Sequence, residues 1–238
     1  MKKILQLIVS AIAMVSIASA VTVTTDVAYK TKSFNKGLVS FEDVVVAGTE
    51  IEAAGFVLGV NTFNTIEANS AGGKVASSGL FKQVDTTAGY RFTAPLANLT
   101  LGAKYSAYTK SAKFNGKEHS TELVARLDGR VKNTLLTWDA TASFDNKNKT
   151  NNLEANVRAP FGFKWVKIAP AVGVGFNDPG AATLAALKSA KRYATLGVGI
   201  GYYSVNTVVA VEVYQSRQSF TTSGVNANGV SLGIRHKL

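Results

Sequence analysis

The sequence predicts an all-β protein: a single up-and-down antiparallel transmembrane β-barrel of about twelve strands. Three observations predict it. Nearly all of the chain after residue 20 alternates apolar with polar residues. Very short connections take turns with longer polar ones. No stretch beyond residue 20 approaches the eighteen or so consecutive apolar residues of a membrane-spanning helix.

Residues 1–20 read as a secretory signal peptide. Lys2 and Lys3 make a positive start, Ile4 to Ile17 is mostly apolar, and Ala18 and Ala20 flank Ser19 as a small-x-small cleavage site. Residues 21–238 form the barrel domain, with no linker or repeat to divide it. Strands are expected near 22–34, 43–53, 55–65, 81–93, 97–110, 118–131, 133–145, 150–160, 163–176, 190–203, 206–218 and 227–238. The short turns are Ala54-Gly55, Ala94-Pro95-Leu96, Lys132-Asn133, Phe161-Gly162 and Ser204-Val205-Asn206. The longer connections fall at 66–80, 111–117, 145–149, 177–189 and 219–226. Short turns on one side and long loops on the other are the outer-membrane pattern, periplasmic and external respectively. An even strand number returns both termini to the periplasmic side. One helix is expected, in GAATLAALKSAKR, where Ala181, Leu184 and Leu187 recur on one flank.

Parity sorts each strand into two faces. Leu123, Leu127, Trp138, Ile168, Val172, Leu196, Ile200, Val211, Leu232 and their alternates make an apolar set. The opposite set is polar and charged, and it holds Gly197, Gly199 and Gly201 of TLGVGIGYYS. Twelve strands about 4.8 Å apart, tilted about 40°, close at a backbone radius of roughly 12 Å. Val, Ala, Leu and Thr cannot fill such a space, so the apolar set belongs outside against lipid. A secreted two-sheet sandwich would also bury that set, but it leaves edge strands that closure removes. Tyr90, Phe92, Tyr105, Phe144, Phe161, Phe163, Phe176 and Tyr202 lie near strand ends and suit interfacial girdles.

The inward set supplies the candidate pore lining. Its bases are Lys30, Arg91, Lys104, Arg126, Arg130, Arg158, Lys167, Lys191, Arg235 and Lys237. Its acids are Asp26, Glu50, Glu52, Asp85, Glu122, Asp128, Asp139, Glu154 and Glu212. The lumen is therefore densely charged yet close to neutral. Two readings stay open: a water-filled bore with bases and acids on separated walls, passing ions and small polar solutes, or a barrel closed by ion pairs and acting through its loops. Inward glycine either keeps a bore open, docks another group, or bends the strand.

The whole chain carries a net charge of +11. In an exported protein the fitting partners are outer-membrane lipid and lipopolysaccharide, with no nucleic acid. Loop lysines, Lys32 and Lys36 among them, outnumber loop acids such as Asp145. Two histidines and no cysteine offer no metal centre, and no cofactor is expected. His119 and Ser120 are adjacent and point to opposite faces, so they make no hydrolase pair and no enzyme is expected.

Residues 28–63 resemble the opening of small TorF-type porins. Tyr29, Lys36-Gly37, Ala47-Gly48 and Gly55-Phe56 match that family's aromatic strand, basic-Gly step, small-residue strand and Gly-aromatic strand. Lys36 stands where the family has arginine. The predicted architecture is also similar to twelve-stranded oligosaccharide porins. These resemblances imply an outer-membrane porin allowing passive diffusion, possible as a homo-oligomer. The C-terminal GVSLGIRHKL resembles the strand signal read by the barrel-assembly machinery.

Overall fold

The computed structural model describes residues 21–35, 38–70, 73–76, 83–108, 119–145, 150–178, 192–218 and 226–238. The expected signal peptide with Ala18 and Ala20, the expected helix, and Lys191 lie outside the described residues.

Each alternating run forms a strand: β1 (Thr22–Asn35), β2 (Leu38–Ala53), β3 (Phe56–Ser70), β4 (Gly73–Ala76), β5 (Gln83–Thr93), β6 (Asn98–Tyr108) and β7 (His119–Arg130). There follow β8 (Thr137–Asp145), β9 (Thr150–Arg158), β10 (Phe161–Gly162), β11 (Lys167–Asp178), β12 (Arg192–Tyr203), β13 (Thr207–Gln218) and β14 (Asn226–Lys237). All neighbours are antiparallel, and β14 pairs with β1 from Thr24↔Lys237 to Lys30↔Ser231, which closes the sheet. Two backbone hydrogen bonds between Val23 and Leu238, at 2.8 and 3.3 Å, finish the seam. β4 is a tab on β3, and the two-residue β10 is a bridge on β11. The remaining twelve strands form a closed up-and-down barrel with no unpaired edge. Among the described residues there is no helix.

Three expected connections differ. β1 and β2 run beyond the expected bounds of 34 and 43 and pair as far as Asn35↔Leu38. The register shifts there, between Ser33 and Phe34. The expected turn Lys132-Asn133 widens to 131–136, with β8 beginning at Thr137. Thr134 donates to the Val131 carbonyl at 2.8 Å and accepts from the Leu136 amide at 3.1 Å, which stabilises the wider turn. The expected turn Phe161-Gly162 is a connection over 159–166 that contains β10, with Gly162 at a φ of 125°.

The apolar face points outward as its parity predicts. Leu123, Val174, Leu196, Ile200, Val213 and Leu232 are all more than half exposed. Such a surface suits hydrocarbon and not water. Along β11 the outward residues run from Ile168 to Phe176. At about 3.3 Å per residue and a tilt of about 40°, that band spans roughly 20 Å of membrane normal. Phe56, Tyr90 and Phe92 bound it at the turn end in edge-to-face contacts of 5.2 and 4.8 Å. Tyr29, Tyr105 and Phe144 bound it at the loop end.

Candidate pore

Inside the barrel the register brings the polar set together. Asp26 stands opposite Arg235, Lys104 opposite Glu122, Asp128 opposite Asp139, and Thr137 opposite Arg158. These positions alternate along their strands with the exposed apolar ones. A cavity of about 720 Å³ occupies the interior. Asp26, Lys30, Arg126, Asp128, Arg130, Asp139, Arg158, Glu212, Arg235 and Lys237 line it, and so does Lys32. Seven of these lining residues are basic and four acidic.

The other candidates sit elsewhere on the inner wall. On one side Arg91 from β5 crosses β3 to reach β2, pairing with Glu52 and with Glu50 at 3.2 Å. Towards the loop end, Lys104 pairs with Glu122 at 3.4 Å, and Gln83 donates to Asp85 at 2.7 Å. Glu154 accepts from Asn156 at 2.9 Å and from the Tyr193 hydroxyl at 2.5 Å. At the turn-side rim, Lys167 donates to the Tyr203 carbonyl at 2.9 Å.

Charges within the cavity are paired only in part. Arg158 on β9 meets Glu212 on β13 across two intervening strands, with Arg158 Nη2 to Glu212 Oε2 at 3.2 Å. Arg126 approaches Asp128 on its own strand at 3.8 Å. Among the described residues, Lys30, Arg130, Arg235 and Lys237 have no carboxylate within ion-pair distance. Acidic and basic residues interleave around the ring and do not occupy separate walls. A wall of this kind, in contact with water, can pass hydrated solutes and orient charged ones.

Several interior residues had not been expected there. Lys32 and Asp145, counted with the loop charges, fall on the inner face, within β1 and at the last residue of β8. Tyr193, Tyr203 and Tyr214 also point inward, on the parity of the inward glycines of β12 and of Glu212 on β13. The same alternation that sorted the charges would have found them. Their rings explain the glycines. A Cβ on Gly175 would lie 2.1 Å from Tyr193 Cζ, on Gly199 2.0 Å from Tyr203 Oη, and on Gly229 2.6 Å from the Tyr214 ring. Glycine leaves room for tyrosine on the wall.

A closed barrel of this size, apolar outside and charged within, is the architecture of an outer-membrane β-barrel. No family model matches the chain, and no curated protein matches it in sequence. Solved structures do match in fold. A KdgM porin superposes with a TM-score of 0.54 at 13% identity, over 90% of this chain and 98% of the other. A NanC porin gives 0.51 at 9% identity, over 91% and 100%. LpxR from Salmonella typhimurium gives 0.50 at 10% identity, over 90% and 99%. Similarity at this level is similarity of fold.

Proposed function

We propose that the protein is an outer-membrane channel through which ions and small hydrophilic solutes diffuse. The observation that carries this reading is the charged cavity of about 720 Å³ inside a closed barrel whose outer face is apolar. A barrel filled by its own side chains would have no such space. The fold shared with two proteins named as porins supports the same reading, as does the resemblance of residues 28–63 to TorF-type porins. On this reading the signal peptide exports the chain, the barrel-assembly machinery inserts it, and the turns face the periplasm. Lipopolysaccharide then meets the outer rim, and Asp26, Arg126, Asp128, Arg130, Asp139, Arg158, Glu212 and Arg235 set the selectivity of the bore.

Purified barrels refolded into planar bilayers test it. Discrete conductance steps are expected, together with swelling of proteoliposomes in small sugars. Folded barrels that pass no current would favour the second reading, a closed surface barrel. The ion pairs that reach over intervening strands of the inner wall, Arg158–Glu212 and Arg91–Glu52, are the observation on that side.

A further inference from the structure

The Arg158–Glu212 pair has an unusual placement. Neighbouring strands are about 4.8 Å apart, and this pair joins β9 to β13 with β11 and β12 between them. No cross-strand contact along the sheet could link them. The two side chains must run over the concave surface as a chord. Beneath them the register puts Ala169 and Ala171 of β11 and Gly197 and Gly199 of β12. Along this path the inward side chains of β11 and β12 are no longer than a methyl, and the Tyr203 hydroxyl lies over Gly199 beside Glu212.

The chord is also held at its junction and at its Glu212 end. Arg158 offers two nitrogens to the two oxygens of Glu212, a geometry that fixes orientation as well as distance. The Tyr203 hydroxyl donates to the same carboxylate at 3.4 Å. Tyr203 is in turn buried in a cluster with Ala169 and Ala210, against which Leu135 and Val208 pack. The Arg158 and Glu212 side chains remain 35% and 25% exposed and both line the cavity, so water reaches the pair.

We propose that Arg158 and Glu212 form a fixed crossbar that determines the size limit of the bore. Here Gly197 leaves the recess over which the bar passes, and Gly199 leaves room for the Tyr203 hydroxyl that holds it. The proposal rests on the channel reading and adds the residues that decide which solutes are small enough.

The test compares wild type, the double variant Arg158→Ala/Glu212→Ala and the reversed pair Arg158→Glu/Glu212→Arg, each folded into bilayers and liposomes. Removing the bar should raise single-channel conductance roughly twofold and admit larger uncharged sugars. The reversed pair should return both readouts to near wild type, since it restores the bar at the same net charge. Folded double-alanine barrels with unchanged conductance and sugar cut-off would overturn the crossbar while leaving the channel standing. A wild-type barrel that conducts nothing would overturn the channel itself. Should the double variant fail to fold, Glu212→Ala alone leaves Arg158 with no acceptor on β13 and removes the bar. A rise in its conductance supports the bar, and an unchanged value overturns it.

Discussion

Glycine on the inner wall is a matter of what lies over it. Gly199 has the Tyr203 hydroxyl where its Cβ would stand, with Glu212 Cγ only 3.2 Å from the same point. Gly197, on the next inward position, has nothing closer than 3.5 Å. The two should therefore respond differently to substitution. Gly199→Val should cost about 1–3 kcal/mol, because it displaces both Tyr203 and the carboxylate it holds. Gly197→Ala should change stability by less than about 0.5 kcal/mol. Urea unfolding in liposomes, followed by tryptophan fluorescence, measures both. At this scale parity was legible from sequence: candidates from Asp26 on β1 to Arg235 on β14 line the cavity. Partnership was not. Whether Arg158 meets Asp139 two residue positions away on the adjacent strand, or Glu212 three strands on, depends on curvature and on the absence of side chains between. Alternation within one strand carries neither.

Within single elements, the β2–β3 hairpin shows how local chemistry positions part of the lining. Its two-residue turn places Ala54 at a φ of 51° and Gly55 at 84°. Two left-handed residues match the twist of the flanking strands, the geometry of a type I′ turn. That register sets Glu50 and Glu52 on the inner face, within reach of Arg91. Alanine is a poor choice for a left-handed position, since its Cβ crowds the carbonyl. Ala54→Asn should thus stabilise the barrel by about 0.5–1 kcal/mol. Gly55→Ala should do the reverse by about 1–3 kcal/mol, because the added methyl would sit 2.7 Å from the Tyr90 ring in a backbone already unsuited to it. Midpoints of urea unfolding at constant slope report both signs. The turn was plain in sequence as Ala-Gly between alternating runs. The wider 131–136 turn was not, because its closure depends on the Thr134 hydroxyl bridging Val131 and Leu136. Nor was the continuation of the β1–β2 ladder to Asn35↔Leu38, which runs past a register shift between Ser33 and Phe34.

For the whole molecule, what decides between a membrane barrel and a soluble one is which face meets which solvent, and that was readable from volume alone. Small aliphatic side chains could not fill a twelve-stranded interior, so they had to face outward. Val211 tests this directly. It is exposed near the middle of the outer band, with Ile200 and Leu232 beside it on the neighbouring strands. Val211→Arg forces a guanidinium into hydrocarbon and should cost about 2–4 kcal/mol in a bilayer. Thr195 belongs to the opposite face of the adjacent strand and lines the cavity. Thr195→Lys introduces the same charge into water and should cost less than about 1 kcal/mol. It should, however, lower the conductance, because the new side chain stands in the bore. The two variants thus exchange their effects: one loses folding efficiency in lipid, the other loses current in a folded barrel. Equal folding of both variants in bilayers would mean that Val211 does not face lipid. Lost folding in Thr195→Lys with none in Val211→Arg would turn the barrel inside out. Because both changes add one positive charge, net charge cannot account for a difference between them; only the side of the sheet on which each residue stands can.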